Sequence, residues 1–410
     1  MKKIVFLTML IPEIMYNQVN KKSKYNMQDA ANALQWHLHE GLCQNYQQDI
    51  EILNVLPVGS FPQYYEDAFI QEQSFVSNTG NSNVNVGFCN VKLIRKYILP
   101  RQIYKALMRS FMNEEEGILF VYTISAPFMQ AVSKLKRKKP NIKICAIIAD
   151  LPDMSSLSSN KSKLQKIFEK NMAAKSYRNI SCIDRYVLLT KYMADYMQIN
   201  KPFCVVEGIA TSEEEFGRKS RGTPEATKVV MYTGTLHKRF GVLNLVKAFQ
   251  KIRYRHYRLV ICGAGDSENE IREAAKQDNR ILFLGQVSRK EVLELEKKAT
   301  VLVNPRQNNE EFTKYSFPSK TMEYLSSGIP VIAYRLDGIP DEYEKYLCYV
   351  EDNSIQALTN KLIEICELSN EKREQLGEKG RNFVITEKNC VIQTKKIVEL
   401  LSCYNGKVQE

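Results

Sequence analysis

Long apolar runs are missing from this 410-residue chain. No segment approaches the ~18 uncharged apolar residues of a membrane-crossing helix, so none is expected. Metal-binding patterns are missing as well. The ten cysteines are scattered without close pairing, several of them inside strand-like runs such as KICAII and LVICG. They read as reduced core residues of a cytosolic protein, which excludes a disulfide framework or a zinc site. No Asp-x-Asp-like pair at a strand end and no His and Cys cluster suggests a metal. The turn Gly263–Asp266 has only two glycines of a dinucleotide fingerprint, with Glu268 in the third place, so a nicotinamide site is rejected. Zinc-finger spacing, RNA-binding aromatic motifs and a basic zipper are absent too, and no nucleic-acid partner is expected. Short repeats and low-complexity tracts are lacking.

What is present begins with MKKIVFLTMLIPE, which imitates a signal peptide. It has no small-residue cleavage site and runs into Pro12 and Glu13, so the simpler reading is a first buried strand over Lys3–Thr8. Strand-like runs then alternate with helices: KIVFLT, a long amphipathic helix near Met27 to Gly41, IEILNVLP, GILFVYT, NIKICAIIAD and DRYVLLT. Alternation of this kind predicts an α/β chain whose parallel sheet is covered on both faces. The second half repeats it at VVMYTG, YRLVICG, RILFLG, TVLVNP and IPVIAY. Chain length favours two domains. The expected division is an N-terminal domain over 1–206, a polar linker over 207–228, a second domain over 229–385 and a terminal segment over 386–410.

Charge is unevenly spread. Residues 101–200 carry 17 Lys or Arg against 8 Asp or Glu, a net of +9 out of +12 for the chain. Two segments concentrate it: KLKRKKP at Lys134–Pro140, and Lys161–Arg178, a helical pattern with apolar Leu164, Ile167, Phe168 and Met172. Such a face suits an anionic bilayer surface, and the same spacing also describes a surface helix packed on its own domain.

The most informative stretch is Glu310–Ala333, EEFTKYSFPSKTMEYLSSGIPVIA. A polar loop runs through Pro318 into a short helix, which a glycine closes before a strand. A helix start offers backbone N–H groups and a positive dipole end to a phosphate, with Ser319 as N-cap and Lys320 adding a cation. Glu323, four residues after Ser319, shares that face, where a carboxylate accepts two hydrogen bonds from a ribose diol. An ordinary capped surface helix is the competing reading.

Around this stretch, Val229–Val350 resembles the donor-binding half of a retaining glycosyltransferase of family 4, a family with the GT-B fold of two facing Rossmann-like domains. The matching pieces occur in the family's order: VVMYTGTLHKRFGVLNLVKAF, LVICGAGDSENEI, RILFLGQVSRKEVLELEKKATVLVNPR and SFPSKTMEYLSSGIPVIAY. FPSK-x-x-EY is similar to the bacterial subgroup that builds capsular or exopolysaccharide repeat units. A weaker resemblance to that subgroup continues into NVLPVGSFPQYY, VGFCN and AIIADLPDM. The resemblance implies a terminal helix, Lys388 to Leu401, crossing back onto the first domain.

The resemblance also implies roles. Glu323 takes the ribose. The family pairs it with a Glu eight positions earlier, a place held here by Tyr315, with Glu310 and Glu311 out of register. Sugar contacts therefore fall to Tyr315, Ser316 and backbone amides of the loop through Phe317 and Pro318. Where the family often has Arg and Lys after the first strand of this half, Thr235 and Phe240 stand, while Gly234 and Gly241 keep the tight loop. Lys238, Arg239, Arg306 and Lys320 are the replacement cations for the diphosphate. Lys238 and Arg239 read equally as solvated loop charges, and His237 as a phosphate contact or a solvated loop residue. Arg306 follows the strand end VLVNP, where ligands of parallel sheets bind. Val287 is expected beside the nucleobase. Asp150, at the end of KICAII, is read either as a polar group near the reacting sugar that helps take the acceptor's proton, or as a strand-end cap, with Asp153 a weaker substitute.

The function implied is retaining, metal-independent transfer of a hexose-type sugar from a nucleotide-sugar donor, with UDP the usual base, to a lipid-linked glycan acceptor. Such an enzyme would sit in the cytoplasm on the inner face of the membrane. Two alternatives stand beside it: a UDP-sugar epimerase of GT-B architecture, and a degenerate donor-binding partner of another transferase.

Overall fold

The computed structural model describes residues 2–24, 29–77, 80, 82–153, 171, 173–211 and 227–402. The chain forms two compact units, one of Met1–Glu207 with Cys390–Glu410 and the other of Gly208–Asn389. Most of the linker expected at 207–228 and of the basic helix expected at Lys161–Arg178 lies outside the described residues.

The first unit begins with β1 (Lys3–Thr8), α1 (Glu13–Lys22), α2 (Asp29–Tyr46) and β2 (Glu51–Asn54). Short strands β3 (Phe69–Ile70), β4 (Gln73–Val76), β5 (Ser82–Asn85) and β6 (Phe88–Cys89) precede α3 (Lys92–Ser110). Then come β7 (Gly117–Tyr122), α4 (Ala126–Lys138), β8 (Ile142–Ile148), β9 (Arg185–Leu188), α5 (Tyr192–Tyr196) and β10 (Phe203–Val205). An eight-stranded sheet runs in the order β10-β9-β8-β7-β1-β2-β5-β4. Its central strands are buried on both faces: Ile4–Thr8 in β1 and all of β7. That explains their unbroken apolar runs, since an alternating pattern would leave polar side chains under the covering helices. The sheet is not parallel throughout. At its edge β4 pairs antiparallel with β5, while β3 and β6 form a separate two-stranded antiparallel sheet.

The second unit contains β11 (Lys228–Thr233), α6 (Val242–Gln250), β12 (Tyr257–Cys262), α7 (Glu268–Gln277), β13 (Ile281–Gly285) and α8 (Arg289–Glu296). It continues with β14 (Val301–Asn304), α9 (Ser319–Ser326), β15 (Val331–Ala333), β16 (Cys348–Tyr349), α10 (Ile355–Cys366) and α11 (Asn370–Glu387). Its six strands are all parallel, in the order β13-β12-β11-β14-β15-β16. Strand order reverses at β11, so the crevice outside the carboxyl ends of β11 and β14 is the topological switch point, the place where open α/β sheets bind ligands.

The last helix, α12 (Cys390–Ser402), belongs to the first unit. It lies on α2, where Asn45 Nδ2 donates to the Val391 carbonyl at 2.8 Å and to Thr394 Oγ1 at 2.9 Å. Gly41 permits the approach, because a Cβ there would meet the Cys390 carbonyl oxygen at 2.2 Å.

Candidate functional site

The loops at the switch point are packed backbone against backbone. After β11, the Gly234 N–H donates to the Cys262 carbonyl at 3.0 Å, and Leu236 to Ala264 at 2.9 Å. Gly263 has φ +139°, and a Cβ on it would stand 1.8 Å from the Gly234 oxygen. Gly241, at φ +79°, faces the Pro305 carbonyl, which a Cβ would meet at 2.0 Å. These contacts bring the loops after β11, β12 and β14 together at one end of the sheet.

Helix α9 starts beside them. Its cap is Pro318, with extended backbone angles and no side-chain capping bond, and Thr321 N–H returns to the Pro318 carbonyl at 2.8 Å. Ser319 is therefore the first helical residue and not the N-cap expected from the sequence: the ring of Pro318 already fixes the entry, and Ser319 follows inside the helix. Gly328, at φ +73°, closes the C-terminal end. Thr321 through Ser326 are all buried, so α9 is an internal helix, and the surface-helix reading does not hold.

Glu323 sits in a cluster of charge. Arg289 Nη1 lies 2.8 Å from Glu323 Oε2, and Lys320 Nζ bonds Glu323 Oε1. On the far side of Lys320, at 3.5 Å, is Oε1 of Glu296, a side chain with no solvent exposure. Thr233 Oγ1 donates to the same Glu296 oxygen at 2.6 Å, and Tyr324 Oη ties Thr233 in place, donating to its carbonyl at 3.0 Å and accepting from its N–H at 2.8 Å. Burial opposes the ionisation of Glu323, but Lys320 and Arg289 outweigh it and hold its carboxyl below the usual range. Burial first, and then the neighbouring Glu323 charge, push Glu296 well above that range.

Arg289, Glu296, Thr233 and Tyr324 escaped the sequence reading. Arg289 and Glu296 open and close α8, seven residues and about two turns apart, so they share one face. That spacing, with Lys320 and Glu323 a turn apart on α9, is the signal that was available.

A second cluster lies at Arg306, whose guanidinium stands 4.2 Å over the Phe240 ring and 5.4 Å from that of Phe312, with Nη1 at 3.4 Å from Ser316 Oγ. Burial lowers Arg306 to about 10, which leaves it charged near neutrality. Arg239 also lies over the Phe312 ring, at 4.0 Å, and pairs with Glu310 at 2.6 Å. Two arginines and two aromatic rings thus form one stack.

Other expected residues fall elsewhere. Lys238 is not gathered into the stack; its Nζ lies 2.5 Å from Glu270 on an exposed face. Phe317 is buried against Tyr343, ring centroids 5.4 Å apart, and so is a core side chain. His237 is not solvated: its ring is mostly covered, with Nε2 at 3.4 Å from Asp266 Oδ2. Thr235 is exposed in the Gly234 loop, and its carbonyl accepts from Tyr232 Oη at 2.8 Å. Tyr315 Oη and Glu311 lie 3.2 Å apart. Val287, just past β13, is half-buried against the core.

In the first unit, Asp150 follows β8; the residue reaches solvent, but desolvation by the protein packed around its carboxyl raises it to about 6. Asp153 accepts from Tyr196 Oη and, at 2.8 Å, from Tyr177 Oη, so it fastens two segments. Part of the basic run is also committed internally. Lys136 pairs with Asp184 at 2.8 Å, and Lys139 donates to the Glu114 carbonyl at 2.8 Å. Among the described residues no helix is long and apolar enough to cross a membrane.

Residues 213–383 match the family model described as Glycosyl transferases group 1. An uncharacterized glycosyltransferase of Methanocaldococcus jannaschii is 29% identical over 126 residues, covering 30% of this chain and 31% of that protein. The D-inositol 3-phosphate glycosyltransferase of Corynebacterium glutamicum is 31% identical over 137 residues, 31% of each chain. The chain thus spans under a third of the length of these two curated relatives. Over 98% of this chain, the fold resembles sucrose-phosphate synthase from Thermosynechococcus elongatus, with a TM-score of 0.65, 14% identity and 99% of that chain covered. The catalytic domain of starch synthase IV from Arabidopsis thaliana, bound to ADP and acarbose, is similar at a TM-score of 0.62 and 9% identity, with 98% and 100% covered. The architecture is mixed α/β with two Rossmann-like units of GT-B type.

Proposed function

We propose that this chain, whose residues 213–383 carry the group 1 glycosyl transferase pattern, transfers a hexose-type sugar from a nucleoside-diphosphate sugar with retention and without a metal. The observation that carries the reading is the Glu323 cluster. An ionised, nearly buried carboxylate at the switch point, held between Lys320 and Arg289, is suited to the two hydroxyls of a ribose. The arginine stack of Arg239 and Arg306 supplies positive charge for the diphosphate, with its guanidinium planes already fixed by Phe240 and Phe312. In the reaction the bond from the anomeric carbon to the phosphate oxygen breaks, the diphosphate leaves with that electron pair, and an acceptor hydroxyl oxygen bonds to the same carbon. Asp150, with its carboxyl raised, is assigned the acceptor's proton.

Uridine is the proposed base and a lipid-linked glycan in bacterial polysaccharide assembly the proposed acceptor. An anionic membrane surface as partner is supported by α3, which exposes Leu93, Ile94 and Tyr97 beside Lys92, Lys96 and Arg101 and contains no acidic residue.

The test is thermal shift of the full chain against UDP, GDP, dTDP and ADP with and without magnesium, followed by nucleotide release from the matching sugar nucleotides. A metal-independent shift by one nucleotide with turnover of its sugar is expected. Binding without turnover on any acceptor would favour the donor-binding partner, and product isomerised at C2 the epimerase.

A further inference from the structure

Glu296 is the most deeply buried acid of the second unit's site, and the proposed reaction does not use it. Its side chain has no solvent exposure. One oxygen, Oε1, accepts from Thr233 Oγ1 at 2.6 Å. The other, Oε2, is buried and meets no N–H or O–H donor, while the carboxyl as a whole lies within hydrogen-bonding reach of the Glu323 carboxylate. Two buried carboxylates this close do not both ionise, and a proton on the more deeply buried Glu296 lets it donate to the ionised Glu323. The groups facing it come from three elements. From α9 come Lys320, Glu323 and Tyr324; from the ends of β11 and β12 come Thr233 and Cys262; and Arg289, on its own helix, bears on Glu323.

The arrangement is a competition for one ammonium. Lys320 bonds Glu323 directly, while Glu296 waits at 3.5 Å on its other side. Because Arg289 and Glu296 are the two ends of α8, the same helix presents a cation to Glu323 and an acid to Lys320.

We propose that Glu296 is a positioning residue for this nucleotide site: as a neutral acid it leaves Lys320 on Glu323, and on ionising it draws Lys320 away and weakens nucleotide binding. A second negative charge beside the ligand acts in the same direction. Affinity therefore falls as pH rises past neutrality. The inference rests on the nucleotide reading above.

The experiment is calorimetric titration of the full chain at pH 7, 8 and 9 with whichever of UDP, GDP, dTDP and ADP binds, comparing wild type with Glu296→Gln. The wild type should lose about fivefold in affinity between pH 7 and 9, on the way to the tenfold limit set by one pKa unit of coupling between the acid and the ligand. The Gln variant keeps the neutral shape, so it should match the wild type at pH 7 and lose clearly less by pH 9. Any ionisation of the ligand itself is common to both proteins. Equal losses in the two, or a flat wild type, overturn this proposal and leave the nucleotide site standing. Failure of all four nucleotides to bind at pH 7 overturns both. Should Glu296→Gln not fold, infrared spectra of the wild type decide: a carboxylic-acid C=O band present at pH 7.5 and lost by pH 9.5 supports the proposal, and its absence at pH 7.5 overturns it.

Discussion

Arg289 and Glu323 stand 34 residues apart in sequence and 2.8 Å apart in space, joining the first residue of α8 to the middle of α9. The guanidinium is partly exposed, at 27%, and the carboxylate nearly buried, at 10%. The pair therefore fixes the carboxylate's direction more than it adds stability. Arg289→Met should keep the fold and weaken the nucleotide by about tenfold, or ~1.4 kcal/mol. Calorimetry reads it, and an unchanged Kd would show that Lys320 alone orients Glu323.

Glu323→Gln keeps the volume of the side chain and removes the anion shared by Lys320 and Arg289. Turnover should fall about a hundredfold, ~2.7 kcal/mol of barrier, as it should for Arg306→Ala, which empties the centre of the aromatic stack. Near-wild-type kcat/KM in both folded variants would sink the site assignment.

The same pair of acids sets a stability profile. Glu323, held below its ordinary range, contributes stability that is present above the normal carboxylate pKa and lost as pH falls through its own lower value. Glu296, held above that range, works oppositely: the folded chain keeps a proton that the unfolded chain releases, so stability declines as pH rises from about 4.3, the ordinary value, towards its raised one. Denaturant titrations of Glu296→Gln between pH 5 and 8 should show a shallower decline than the wild type. An identical slope would place the proton elsewhere.

Local pattern made much of the fold legible. β1 spans Lys3–Thr8 as its apolar run predicts, and five of the six parallel strands of the second unit follow the VVMYTG-to-IPVIAY alternation, the two-residue β16 being the strand not expected. Gly328 ends α9 because a left-handed residue was needed there. What stayed hidden depends on tertiary partners. In EVLELEKKA the spacing from Arg289 puts Glu296 on a shared face, but only the packing of α8 against α9 separates it from its solvated neighbours. Ser319 looked like a cap because Ser favours that position, but Pro318 occupies it. Lys238 and Arg239 are adjacent, yet their side chains diverge, one to Glu270 and the other to Phe312. The antiparallel pair β4–β5 is short and partly exposed, without the continuous apolar run that marked the central strands.

Asp150 and Asp153 separate a chemical role from a structural one. If Asp150 takes the acceptor's proton, kcat/KM should fall as pH drops below about 6, where its carboxyl gains a proton. Asp150→Asn should then lower kcat by about a hundredfold and leave nucleotide affinity intact. Asp153→Asn should instead lower the melting temperature, since it weakens the acceptor that Tyr177 and Tyr196 share. An acid limb that persists in a still-active Asp150→Asn would assign the proton to another group.

Gly263 tests whether the loops around the switch point have any slack. It adopts φ +139°, and a Cβ would be driven to 1.8 Å from the Gly234 carbonyl oxygen, a backbone atom of a residue whose N–H donates to the Cys262 carbonyl. Neither partner is a flexible side chain, so relief requires the loops after β11 and β12 to part. Gly263→Ala should cost about 2–4 kcal/mol from backbone strain and the steric clash together. Separation of those loops also displaces Leu236, which bonds the next residue, Ala264, and so disturbs the turn carrying Arg239. Nucleotide affinity should fall alongside the melting temperature. A control, Gly285→Ala, has φ +68° but open space around the added methyl, so it isolates the conformational cost of about 1–2 kcal/mol. If the two variants were equally stable, the close approach of the two loops would carry no energetic weight.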